Sequence, residues 1–178
     1  TGVEKEVRRN RVVTTFCLGT RRLYDWLEDN AVVEVLGVDF VNDPRVIARM
    51  SRFNSVNATT EVDLMGQCAS ETIGGRYWSS SGGQADFARG AMYADEGQAF
   101  IVTPSLTRDG RSRIVPSLAS GSVVTTLKNT VDHVVTEHGV AELRGKALSD
   151  RARALIAVAD PSVRDNLTRD ARTLGLFL

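Results

Sequence analysis

Arg11 to Leu18 (RVVTTFCL) is an apolar, β-branched run closed by Gly19, and the residues after it change period at once. Leu23, Trp26 and Leu27 recur at helical spacing behind Thr20, a residue type suited to capping, and Asn30 ends that turn. A strand that feeds straight into a helix is the repeating unit of α/β architecture. It constrains the chain more than any other feature, because parallel strands need such crossovers. The run is expected to be a strand buried on both faces.

The same alternation continues. Ala31 to Phe40 returns to strand character, interrupted by Gly37, and Asn42-Asp43-Pro44 starts a second helix with Val46, Ile47 and Met50 as its apolar stripe. Asn42 or Asp43 is the cap. Phe53 to Leu64 reads as two short strands, in which Glu61 and Asp63 alternate with Val62 and Leu64 and so form an outward face. Met50, Met65 and Trp78 are expected in the core. Ala85 to Ala94 is a helix, and Ala99 to Thr103, Arg113 to Val115, Val123 to Leu127 and Val131 to Thr136 are strands. Leu148 to Ala159 is a helix, and Asp160-Pro161 opens another. The apolar tail TLGLFL is expected to dock on the body, and the polar stretch Thr1 to Asn10 to lie at an edge. The fold class is therefore α/β: a mixed, largely parallel sheet covered by helices, over residues 1–178 as a single domain.

Composition narrows the function classes. The 22 basic residues balance 22 acidic ones, which argues against a nucleic-acid partner recruited by global charge. No apolar run approaches the ~20 residues of a membrane helix, and no signal segment is visible, so a cytoplasmic protein is expected. Cys17 and Cys68 read as two reduced thiols. His133 and His138 lie too far apart to share a helix face as zinc ligands, so no metal is expected.

The stretch best suited to chemistry is Gly74 to Gly90, GGRYWSSSGGQADFARG. Glycine lets backbone N–H groups approach a ligand closely, and Gly82 to Gln84 precede the expected start of a helix, where free N–H groups accumulate. A plain surface loop is the alternative. The spacing fits neither the dinucleotide fingerprint nor the P-loop, and no GxSxG elbow is present.

The ordered set NATTEVDLMGQ (Asn57 to Gln67), SETIGG (Ser70 to Gly75), SGGQADFARGA (Ser81 to Ala91), SRIVP (Ser112 to Pro116), DHVVTEHGVAELRGKAL (Asp132 to Leu148) and DRARALIAVADP (Asp150 to Pro161) resembles the C-terminal domain of the acetyl-CoA hydrolase/transferase family. That family includes 4-hydroxybutyrate and succinyl:acetate CoA-transferases. The resemblance implies a CoA-transferase-like fold and class I CoA-transferase chemistry. A glutamate attacks an acyl-CoA thioester, the acyl-glutamyl anhydride becomes a glutamyl-CoA thioester, and a second carboxylate takes the CoA. Coenzyme A is then a substrate, with no bound cofactor.

By motif match, the resemblance implies an oxyanion donor at the Gly83 backbone, with Gly82 and Gln84 beside it in the CoA approach. It also implies Asn42 lining the same site, Glu137 at the acyl or carboxylate pocket, and Arg108 near the CoA phosphates. Each has a plainer alternative: Asn42 as a helix cap, Glu137 paired with Arg144, and Arg108 and Arg111 as solvated turn charges. Ser80 stands where the family has glycine, a strained position if its φ must be positive. The family's catalytic glutamate lies upstream, in an HTEM-like segment that does not occur here. The partners implied are acyl-CoA, a small carboxylate, the N-terminal half of the same enzyme and a homo-oligomer.

Overall fold

The computed structural model describes residues 5–177; of the stretch Thr1 to Asn10, Thr1 to Glu4 lie outside the described residues, as does Leu178 of the tail. The elements are β1 (Val12–Thr14), α1 (Arg21–Leu27), β2 (Val33–Val35), α2 (Val38–Val41), α3 (Pro44–Ile47), β3 (Asn54–Ala58), β4 (Glu61–Asp63), β5 (Cys68–Ala69), β6 (Thr72–Ile73), β7 (Arg76–Tyr77), α4 (Gln84–Tyr93), β8 (Gln98–Val102), β9 (Ile114–Val115), β10 (His133–Thr136), β11 (Gly139–Glu142), α5 (Leu148–Ala157), a 3₁₀ turn (Pro161–Val163) and α6 (Arg164–Thr173).

The central sheet has the order β11-β10-β8-β3. β8 runs parallel to β3 and to β10, and β11 closes the edge antiparallel. Two further parallel pairs flank it, β1 with β2 and β4 with β9. The architecture is therefore the mixed, largely parallel α/β arrangement.

Register decides which side chains meet the helices. Ile101, Val134 and Ala141 share one face and are buried beneath Ala152, Leu155 and Ile156 of α5. On the same face Ala99 packs against Ala88 and Ala91 of α4. The opposite face carries Val56, Val102 and Val140, at 67%, 38% and 53% exposure. Parallel sheets occur almost only with both faces covered, so this one presents a bare apolar face where a further layer would ordinarily pack.

Local chemistry explains the element ends. Asp43, not Asn42, caps α3: its carboxylate accepts the Arg45 N–H at 2.8 Å, with Pro44 in the first turn. Asp160 does the same for the 3₁₀ turn through the Ser162 N–H at 2.9 Å. Gly74 and Gly75 both take positive φ in the two-residue turn between Ile73 and Arg76, which is what a tight hairpin requires. The first glycine pair of the glycine-rich stretch is thus a hairpin turn. Phe177 and Leu176 of the tail pack on the main core.

Several sequence expectations are corrected. β1 is not buried on both faces: Phe16 and Leu18, just beyond it, are exposed, and Val12 is half-exposed. Ala31 to Phe40 is strand only over Val33–Val35, because Gly37 breaks the run and Val38–Val41 coils into a helix. Val123 to Leu127 makes a single bridge, Thr126 with Cys68, in place of a ladder. Its hydroxyls are committed elsewhere, Thr125 to the Ser70 N–H and Thr126 to Gln84. Trp78 is exposed. Asp63 points inward and is fully buried. It accepts the N–H groups of Met65 and Gln67 at 3.0 and 2.8 Å, and so shapes the turn after β4. β4 has partners on both sides, and its acidic residues are used for turn-making, not for a solvated face.

Candidate functional site

α4 runs back along the sheet to reach β8 through a short link. A ten-residue helix is ~15 Å long, close to the ~16 Å of the five-residue β8 strand. α4 packs on β3 and β8, and the short link into β8 sets its N-terminus towards their C-terminal ends. Ligands of open α/β sheets bind outside the carboxyl ends of parallel strands.

Gly83 stands at the N-cap of α4, preceded by Gly82 at φ +57°. Gly82 is the residue that takes the left-handed conformation in this loop; Ser80 has no positive φ, so the serine carries no strain. The N–H groups of the first helical turn have no acceptor within the helix and point out of its N-terminus. The Asn42 amide lies over Gly83: a Cβ added to Gly83 would collide with Asn42 Nδ2 and press on the Phe87 ring. Among the described residues Asn42 makes no side-chain hydrogen bond, so its donor stays available beside the N–H groups of the helix terminus. The capping alternative for Asn42 is removed, because Asp43 has that role. Gln84 turns inward. It is buried, and its Nε2 donates to Thr126 Oγ1 at 3.0 Å, leaving only its backbone for a ligand.

Glu137 sits in the tight turn between β10 and β11, at the same sheet edge. Its partner is not Arg144, which pairs with Asp132 at 3.0 Å. Ser105 donates its hydroxyl to Glu137 Oε1 at 2.7 Å and its N–H to Oε2 at 2.9 Å. These bonds, the hydroxyl first, hold the carboxyl below the usual carboxylate range. His138 Nε2 lies 3.9 Å from Glu137 Oε1 and 3.6 Å from Asp160 Oδ2. Sequence reading missed Ser105; the cue was a serine just past a strand end and its Pro104, but nothing local linked it to Glu137.

Arg108 lies at the tip of the hairpin closed by the Leu106–Ser112 bridge. Asp109 is pulled down to about 2 by the Thr107 hydroxyl and Arg111, with which it pairs at 2.8 Å. Arg111 is thus committed, whereas Arg108 is exposed and forms no ion pair among the described residues. A cavity of about 850 Å³ is lined by Phe40, Val41, Ile47, Met50, Phe53 and Phe87; it reaches Val41 and Phe87, but neither Asn42 nor Gly83 lines it. The structure thus brings Asn42 and Gly83 together and puts Glu137 at the same edge of the sheet, while Arg108 stands on the hairpin that Ser105 roots.

The model of the acetyl-CoA hydrolase/transferase C-terminal domain matches residues 19–171. The chain belongs to this family. Its relatives include the succinyl-CoA:cyclohexane-1-carboxylate CoA transferase of Geobacter metallireducens, 48% identical over 96% of this chain and 39% of that protein. The 4-hydroxybutyrate coenzyme A transferase of Clostridium kluyveri is 47% identical over 94% of this chain and 39% of that protein. Among solved structures, RipA from Yersinia pestis superposes with a TM-score of 0.93 at 39% identity, covering 99% of this chain and 40% of that one. The chain thus spans about two fifths of the length of these acetyl-CoA hydrolase/transferase relatives.

Proposed function

We propose that this chain is the CoA-handling half of an enzyme that moves CoA between an acyl-CoA thioester and a small carboxylate, with the nucleophilic glutamate supplied from outside these residues. The observation that carries the reading is the Asn42 amide seated over Gly83 at the N-terminus of α4. Both offer neutral donors at the sheet edge where ligands of this architecture bind.

In the proposed reaction a glutamate oxygen attacks the thioester carbonyl. The carbonyl oxygen takes negative charge, the C–S bond breaks, and an acyl-glutamyl anhydride and CoA thiolate result. The thiolate attacks the glutamyl carbonyl, releasing the acyl carboxylate and leaving glutamyl-CoA. An acceptor carboxylate then repeats the two steps in reverse order, and no water enters. The N–H groups at Gly83 and Gln84 and the Asn42 amide stabilise the successive oxyanions, where preorganised donors have their largest effect. Arg108 takes the CoA phosphates and Gly82 keeps the approach open. Glu137 lines the acyl or carboxylate pocket. CoA is a substrate and no other cofactor is invoked.

The partner proposed for the bare face of the sheet is the N-terminal part that the relatives carry, with a homo-oligomer as the complete assembly. That face, together with exposed Phe16, Leu18 and Trp26, supports this. A cytoplasmic setting is supported by two free cysteines, Cys68 buried and inert because burial pushes its thiol pKa up. Among the described residues no helix is long and apolar enough to cross a membrane.

Hydrolysis with Glu137 as general base is the competing chemistry. A carboxylate held below its usual range by two donors is a weakened base, and this favours transfer over hydrolysis. The test is an acetyl-CoA turnover assay with carboxylate acceptors, run on this chain and on a polypeptide extended to the relatives' full length. We expect transfer only from the extended form. Robust transfer by the 178-residue chain would overturn the placement of the nucleophile. Free CoA release that disappears in Glu137→Ala would establish hydrolysis, and CoA binding without turnover in the extended form would leave a binding module.

A further inference from the structure

Ser105 has no role in the family resemblance, yet it is the residue on which two parts of the proposed site converge. It is fully buried just past β8, after Thr103-Pro104. Its two donors reach different oxygens of one carboxylate, the hydroxyl to Glu137 Oε1 and the N–H to Oε2. Its carbonyl accepts the Arg113 N–H at 2.9 Å, next to the Leu106–Ser112 bridge that closes the Arg108 hairpin. A single residue therefore fixes the Glu137 turn on one side and roots the Arg108 hairpin on the other.

We propose that Ser105 is the positioning residue of the site: it clamps Glu137 in one rotamer as an acceptor-only anion and holds it in register with the hairpin that carries Arg108. This rests on the placement of Glu137 and Arg108 in the site above. A free glutamate samples several rotamers and ionises on its own terms. A carboxylate gripped at both oxygens does neither, since fork-like two-point contacts fix direction as well as energy. The side chain of Glu137 is about half exposed at the sheet edge, so its lone pairs not used by Ser105 remain reachable, with the His138 ring nitrogen Nε2 3.9 Å from Oε1. They offer a fixed acceptor to N–H or O–H groups of a bound ligand. The clamp also explains why the carboxyl sits below its usual range, the Ser105 hydroxyl being the foremost cause.

The test is an NMR titration of the 178-residue chain. In the wild type the Ser105 amide proton must shift with the protonation of the Glu137 carboxyl, with one shared midpoint below the ordinary glutamate value. In Ser105→Ala, and in Ser105→Cys, which keeps the size but donates weakly, the Glu137 midpoint must rise towards the ordinary value. A Ser105 amide that does not follow Glu137 in the wild type overturns the proposal without any variant, and so does a Glu137 midpoint unmoved by the substitutions. Binding of free CoA to Gly83→Val serves as the separate arm. If that variant loses CoA while Ser105 is silent to Glu137, the clamp fails and the site stands. If the clamp titrates as described while Gly83→Val binds CoA normally, the clamp is real and the site assignment fails.

Discussion

Replacing Arg151 by alanine is expected to destabilise the fold by about 4 kcal/mol, and to lower the melting temperature by roughly 8–16 °C for a chain of this size. Arg151 is 6% exposed and stands inside the core, on α5. Its guanidinium donates to three carbonyls from three separate segments: Met65 at 2.8 Å, Leu143 at 2.8 Å and Lys128 at 2.6 Å. Burial pulls its pKa down from the ordinary arginine value, and the nearby Asp63 charge works the other way. Alanine would remove three charge-assisted hydrogen bonds, leaving the Met65 and Lys128 carbonyls without this donor and Leu143 with only the Lys146 N–H, and would open a cavity in place of the fork. Lysine cannot reproduce three directed donors, so Arg151→Lys should recover only part of the loss. Urea unfolding followed by circular dichroism reads both variants. A loss below about 1 kcal/mol in Arg151→Ala would show that water or rearranged backbone satisfies those carbonyls.

The second large effect is at the site. In a polypeptide extended to the relatives' full length, Gly83→Val is expected to lower CoA transfer by about 10²–10³-fold while the fold is retained. Any Cβ at this position meets Asn42 Nδ2 and the Phe87 ring, so both the amide and the entrance to the helix terminus are displaced. Asn42→Ala, which empties the space instead of filling it, should reduce transfer through the loss of one donor and leave the melting temperature close to wild type, because Asp43 carries the cap. If transfer by Gly83→Val stays within a few-fold of wild type, the oxyanion site lies elsewhere.

Much of this arrangement was legible in the sequence because it depends on near neighbours. Asp160-Pro161, the Gly82-Gly83 break before α4, and the apolar, β-branched runs that became β8 and β10 are signals read within a few residues. What could not be read depends on what lies opposite in space. The alternation of Glu61 and Asp63 with Val62 and Leu64 has the period of a half-exposed strand, but β4 is enclosed on both sides and Asp63 is fully buried. The β1 run looks like a buried strand, and its apolar side chains are in fact uncovered within this chain. Trp78 misleads in the same way.

The site shows the same division. Asn42 and Gly83, forty-one positions apart in sequence, could be paired only through family resemblance, and the contact between them comes from the packing of α3 on α4. Ser105 and Glu137 are 32 positions apart, and nothing local to either predicts the two bonds between them. Arg108 and Arg111 look equivalent in TRDGRSR; only the ion pair of Arg111 with Asp109 tells them apart.

The central claim is that the edge formed by Gly82, Gly83, Asn42, Glu137 and Arg108 receives coenzyme A. The most direct measurement is a titration of free CoA into the 178-residue chain, followed residue by residue through backbone and Asn side-chain amide shifts. The account predicts saturable shifts at Gly82, Gly83, Gln84, the Asn42 amide and the Thr107–Arg111 turn, lost together in Gly83→Val. Shifts confined to another surface, or shifts at these residues that survive in Gly83→Val, would contradict it.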